Sequence, residues 1–285
     1  MMEKFYNRED ELEFLRKVGV KSQSRAQLTF VTGRRRIGKT ALLTRSAKED
    51  VWLYFFVAKK SESLLCMEYV ELAKEALQVE SYGTIVHFRE LFSWLMELSK
   101  NLNFTLVIDE FQEFYSVNPA VYSEMQNIWD HKKDESKMNL ICCGSIYSLM
   151  TKISENAREP LFGRANNHLR LQAFRISTIR KILADYHPGY THDDLLCFYM
   201  ITGGVAKYVE MLIDAQAYTK EAMLDQVFSE HSLFLSEGKN VLIDEFGKDY
   251  GNYFSILSLI ASSKNSRSEI ESVMEMPVGG FLDRL

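Results

Sequence analysis

Proline and cysteine are both scarce in this chain, four of each among 285 residues. So few prolines exclude a proline-rich or low-complexity architecture, and 46% hydrophobic with 26% charged residues is the balance of an ordinary folded protein. The cysteines, Cys66, Cys142, Cys143 and Cys197, show no metal-ligand spacing. Cys142 and Cys143 are adjacent in an apolar run, which reads as buried strand rather than disulfide framework. Long apolar runs are missing too: the longest, "VWLYFFVA" at 51–58, is far too short to span a bilayer. The opening "MMEKFYNRED" is charged and lacks an apolar core, so it does not read as a signal peptide. There is no excess of positive charge. A net charge of -5 argues against a globally basic nucleic-acid binder and leaves room only for a local patch. These features fit a reduced, cytoplasmic protein with no membrane partner.

The length exceeds a typical single domain and predicts two domains, or one with appended modules. Strands are expected at 27–32, 51–57, 104–109, 139–143 and 168–171, with helical periodicity between them at 62–77, 88–102, 121–133 and from 146 to about 154. Strands alternating with helices imply an α/β fold with a parallel, doubly wound sheet. After about Phe174 the strand signal fades. Helices are expected at 177–186, 191–201, 206–213 and 219–234, the second opened by the cap "THDD" at Thr191. Two more follow at 253–262 and 268–274, the latter opened by "SEIE" at Ser268, and Pro277 begins a third. The chain stops within that third helix, which predicts a C-terminal truncation.

The stretch "FVTGRRRIGKTALL" carries the chemistry. Gly33–Thr40 matches G-x-x-x-x-G-K-[ST] at every fixed position, between a strand and a helix. Such a loop wraps backbone N–H groups round a phosphate, from Gly33 through Arg34, Arg35, Arg36, Ile37 and Gly38 to Lys39, Thr40 and Ala41. Lys39 would reach the β/γ oxygens, and Thr40 would offer a hydroxyl to Mg²⁺. Arg34, Arg35 and Arg36 fill variable positions where backbone does the holding. They read as solvent-facing or paired with acids, with one able to face a neighbouring subunit or nucleic acid.

A second motif is expected on a neighbouring strand, and "LVIDE" at 106–110 supplies it. Asp109 would hold Mg²⁺ through its hydration shell, and Glu110 would orient and polarise the attacking water. The plainer reading of Asp-Glu at a strand end is a solvated turn.

"FYNREDELEFL", "GRRRIGKT", "LVIDEFQ", "ICCGS", "EPLFGR" and "TGGVAKY" occur in an order that resembles the archaeal-type ATPases, a prokaryotic family among the AAA+-like and STAND P-loop NTPases. The resemblance covers roughly 3–285. It implies an additional-strand P-loop core at 1–174, an all-helical lid at 175–245 and a partial winged-helix segment at 246–285. Tyr6, Arg8 and Glu9 match an N-terminal motif near the adenine side of the site; for Glu9 a plain capped helix is the competing reading. Ser145 would end a sensor strand and read the γ-phosphate or the water, against a simple strand terminus. Arg164 would approach a phosphate in trans, making a homo-oligomer, against a salt bridge that holds its loop. Two departures stand out: Ala206 replaces the proline expected in the lid turn, and Lys207 is a poor substitute for the lid arginine.

The last helices resemble a helix-turn-helix. Their charges nearly cancel: Arg284 faces Asp283, and Lys264 and Arg267 are offset by Glu269, Glu271 and Glu275. Packing or protein interaction is therefore favoured over DNA as the partner. The sequence thus points to Mg²⁺-dependent ATP binding and hydrolysis that moves the lid and winged helix. A slow nucleotide-gated switch awaiting a protein effector and a DNA-associated regulatory or defence ATPase are the alternatives. ATP is preferred to GTP because no N-K-x-D tetrad is present.

Overall fold

The computed structural model describes residues 5–47, 51–81 and 83–285; the first four residues of the opening stretch lie outside them. The described chain separates into two compact units between Tyr218 and Thr219. The expected lid, 175–245, spans that division.

The first unit runs α1 (Glu9–Ser22), β1 (Gln27–Thr32), α2 (Lys39–Ser46), β2 (Trp52–Phe56), α3 (Glu62–Leu77), α4 (Phe88–Leu98) and β3 (Phe104–Asp109). It continues with α5 (Phe114–Val117), α6 (Val121–Lys132), β4 (Met138–Cys143), α7 (Tyr147–Glu155) and β5 (Asn167–Arg170). The helices α8 (Ile176–Tyr186), α9 (His192–Thr202) and α10 (Ala206–Asp214) follow. All five strands pair in parallel, in the order β2-β3-β4-β1-β5.

The burial pattern explains that order. Every residue of β1, β3 and β4 is buried, as continuous apolar strands at the centre of a parallel sheet must be. β2 and β5 alternate in exposure, which suits the two edges. Leu28, Phe30, Leu106, Ile108, Leu140 and Cys142 face one side and pack with α4, whose Phe88, Leu91, Phe92, Leu95 and Met96 form one apolar stripe. Val31, Val107, Ile141 and Cys143 face the other, under Leu15 of α1 and Leu42 and Leu43 of α2. The sheet is thus doubly wound.

One expectation is corrected. The strand of the acid pair, β3, does not neighbour the P-loop strand, because β4 lies between them and pairs with both. That insertion is the additional strand implied by the family resemblance.

The second unit is helical: α11 (Lys220–Phe228), α12 (Phe234–Phe246), α13 (Tyr250–Ala261), α14 (Arg267–Met274) and α15 (Gly279–Leu282). The single helix expected over 219–234 breaks at Ser229, whose backbone turns extended, and Ser232 Oγ accepts the Phe234 N–H at 3.2 Å. The cap at Thr191 forms as expected, Thr191 and Asp194 bonding reciprocally. The one expected at Ser268 forms two residues earlier, between Ser266 and Glu269. Ile256, Ile270 and Val278 make the core of α13–α15, and Tyr253 stacks on Phe246 with ring centres 3.6 Å apart. This unit has no strand among the described residues, and no helix among the described residues of the chain is long and apolar enough to cross a membrane.

Candidate active site

The P-loop leaves the exit end of β1 and closes on the N-terminus of α2. Gly38 sits in the left-handed region at φ 97°, a conformation in which a side chain is strained, and it caps the helix that begins at Lys39. Its Cα also faces Ala206, at the first turn of α10. Lys39 is buried, and its ammonium donates to the Gly33 carbonyl at 2.9 Å and the Arg34 carbonyl at 3.2 Å. Ile37 points inward to the core, whereas Arg34, Arg35, Thr40 and Ala41 are exposed. The Arg36 carbonyl accepts the Lys207 N–H at 3.2 Å, so the start of α10 rests on the loop.

Asp109 ends β3 and is buried among donors. Oδ2 accepts from Thr40 Oγ1 at 3.4 Å and from the hydroxyl of Tyr54. Oδ1 accepts from the Glu110 N–H and from Cys143 Sγ, each at 2.9 Å. Burial, then the Asp109 carboxylate, pushes the Tyr54 phenol up from its ordinary range, and the same causes push the Cys143 thiol well up. Both groups are therefore protonated donors to the acid. Neither was assigned from sequence: Tyr54 is one aromatic in "WLYFF", and only the pairing of β2 with β3 brings it to Asp109.

Glu110 turns the chain in the left-handed region at φ 53°. Its Oε2 accepts from Ser145 Oγ at 2.8 Å, from the Ser145 N–H at 3.3 Å and from Gln112 Nε2 at 2.5 Å. The structure thus brings Lys39 and Thr40 of α2, Asp109 at the end of β3, Glu110 just after it and Ser145 beyond β4 to one end of the sheet.

Three predicted residues stand elsewhere or do other work. Arg8 is buried at φ 82°, and its guanidinium donates to Glu11 at 2.9 Å, to the Gln172 carbonyl at 2.6 Å and to the Ile37 carbonyl at 3.5 Å. It also lies over the Phe174 ring, 5.0 Å from the centroid. It therefore ties the N-terminal segment to the P-loop and to the strand exit. The Tyr6 hydroxyl donates to Asp185 of α8 at 2.9 Å, beside a cavity of about 440 Å³ lined also by Phe5, Glu9, Arg45 and Lys181. Arg164 bonds Asp130 near the end of α6, at 3.2 and 3.3 Å. Two residues on, Asn166 brackets Leu28 at the entry of β1, so Arg164 lies at the opposite end of the sheet from the P-loop.

A family model described as an ATPase domain predominantly from Archaea matches residues 5–212. This chain belongs to that family. It is 26% identical over 271 residues to the uncharacterized protein MJECL04 of Methanocaldococcus jannaschii, covering 95% of this chain and 57% of that protein. It covers a similar share, 54%, of MJ0424 from the same organism, 38% identical over 56 residues, so it spans a little over half the length of the curated relatives it matches. Among solved structures, the fold is similar to the Walker-type ATPase PABY2304 of Pyrococcus abyssi, with a TM-score of 0.69 at 17% identity over 96% of this chain and 85% of that one. It is also similar to the ORC2 protein of Aeropyrum pernix in its ADPNP–ADP complexes, with a TM-score of 0.59 at 15% identity over 92% and 76%. The P-loop ATPase fold is thereby established for this chain.

Proposed function

We propose that this chain binds ATP with Mg²⁺ and hydrolyses it. The observation that carries the reading is the convergence of Lys39, Thr40, Asp109, Glu110 and Ser145 from three elements at one sheet end. Lys39 pairs with the β/γ oxygens, and the loop from Gly33 to Ala41 supplies backbone N–H groups. Thr40 and Asp109, oxygen donors 3.4 Å apart, suit Mg²⁺. Among the described residues no group of three or more His, Cys, Asp or Glu could hold a metal, so Thr40 and Asp109 would hold the ion together with nucleotide oxygens. When bound, the ion neutralises phosphate charge. Glu110 orients the attacking water, and Ser145 holds Glu110.

The cavity beside Tyr6 is assigned to the adenine end, in keeping with the adenine nucleotides named for the ORC2 neighbour. Arg8 shapes that end by bracing the P-loop rather than by touching nucleotide. The contact of α10 with the Arg36 carbonyl supports coupling of loop geometry to the lid helices that begin at 175. Arg164 is given the bracing role that its pair with Asp130 supports.

Steady-state phosphate release with Mg²⁺-ATP, measured across protein concentrations, tests the reading. Turnover at a constant specific rate supports a site complete in one chain. A specific rate rising with concentration returns Arg164 or another group to a trans role. Nucleotide binding without turnover at any concentration overturns the hydrolase reading in favour of a switch.

A further inference from the structure

We propose that Gln112 is a positioning residue for Glu110, fixing one oxygen of its carboxylate so that the other is presented to the attacking water. The proposal rests on the hydrolase reading above.

Gln112 follows the acid pair in a buried turn, Phe111–Glu113, whose carbonyls at Phe111 and Gln112 both accept from the Tyr122 hydroxyl, at 3.0 and 3.3 Å. Its side chain is buried, and Nε2 donates to Glu110 Oε2 at 2.5 Å. Ser145 gives the same oxygen two further bonds, so three donors converge on Oε2. A carboxylate only accepts, which dictates that the amide nitrogen faces Glu110. The amide oxygen is then turned into an apolar wall and left buried without a partner. Burying an acceptor in this way costs stability. The wall is Gly144 and Met150: a Cβ at Gly144 would stand 2.1 Å from Gln112 Oε1 and 2.7 Å from Met150 Sδ. Only glycine lets the amide reach its place.

Three features therefore meet around the Glu110–Gln112 contact: the left-handed Glu110, the orphan amide oxygen and a glycine at 144 where any Cβ would crowd that oxygen. Such features persist together where function demands the geometry. Ser145 approaches Glu110 from the sensor loop and Gln112 from its own turn, so the carboxylate cannot swing without breaking both.

The test is Gln112→Met, which keeps the volume but removes both the donor and the orphan acceptor, with Gln112→Leu as a second apolar variant that also loses the donor. Thermal midpoint, affinity for a fluorescent ATP analogue and kcat are read for each, alone and on a Glu110→Gln background. The expected result for Gln112→Met is an undiminished midpoint, unchanged nucleotide affinity and a kcat lowered about a hundredfold. On the Glu110→Gln background it should lower the residual rate no further. Wild-type kcat in either variant, a parallel loss of nucleotide affinity, or an equal loss on the Glu110→Gln background would overturn the proposal alone. Nucleotide binding without turnover in the wild type would overturn the hydrolase reading, and this inference with it.

Discussion

The Tyr54 hydroxyl and Thr40 Oγ1 meet on the same oxygen of Asp109. The acid is thus gripped from the edge strand β2 and from the P-loop helix, while Cys143 holds its other oxygen from β4. Such outer contacts orient a metal-binding carboxylate. Tyr54→Phe should therefore raise the Mg²⁺ concentration for half-maximal activity roughly tenfold while leaving the fold intact. An unchanged Mg²⁺ dependence would show that Tyr54 only packs against the sheet.

Lys39→Ala and Glu110→Gln should separate two steps. The first removes the buried ammonium and should weaken nucleotide binding by at least about a hundredfold, a loss of some 2.7 kcal/mol. The second should leave affinity within about twofold and lower turnover by roughly two orders of magnitude or more. Equal turnover in Glu110→Gln would remove Glu110 from the mechanism. Titration of a fluorescent nucleotide beside phosphate release gives both readings.

Arg8→Ala should destabilise the first unit by about 2–3 kcal/mol, because a buried guanidinium that serves two carbonyls and a carboxylate is lost. Arg8→Lys should not rescue it, since an ammonium on a single stem cannot reproduce the planar fork over Phe174. Urea midpoints measure both. Recovery of full stability by lysine would mean that charge alone is required.

The pH dependence of stability carries a mark of Cys66. Burial, then the charges of Glu62 and Glu90, raises its thiol from an ordinary value of 9.0 to about 12. The fold holds the protonated form, whereas the unfolded chain ionises first. The contribution is therefore full below pH 9 and is lost as pH climbs from 9 towards 12. Urea midpoints at pH 8 and pH 10 should fall less in Cys66→Val than in the wild type. An identical slope would place the alkaline sensitivity elsewhere.

What could be read from sequence follows a physical divide. The P-loop and the acid pair were legible because backbone phosphate binding demands fixed spacing along the chain. The five strands were legible because buried parallel strands are continuous in apolar character. Tyr54, Cys143 and Gln112 were not, because each acts across the sheet or a turn, and register is set by strand order rather than by local pattern. Gln112 stood in the quoted "LVIDEFQ" without a role; its signal was the glycine at 144, which makes sense only once the two are in contact. α12 escaped notice because Gly238 interrupts its apolar spacing, and the serines that break α11 from α12 look helical by periodicity alone.

β4 acts as a gauge block. With one strand interposed, the backbones of β1 and β3 stand two strand spacings apart, roughly 10 Å. The gap between the P-loop and the acid pair is therefore set by main-chain hydrogen bonds on both flanks of β4, from Val31–Cys143 on one side to Ile108–Cys142 on the other. Side-chain replacements around the site can retune its chemistry, but the aperture itself is machined into the sheet.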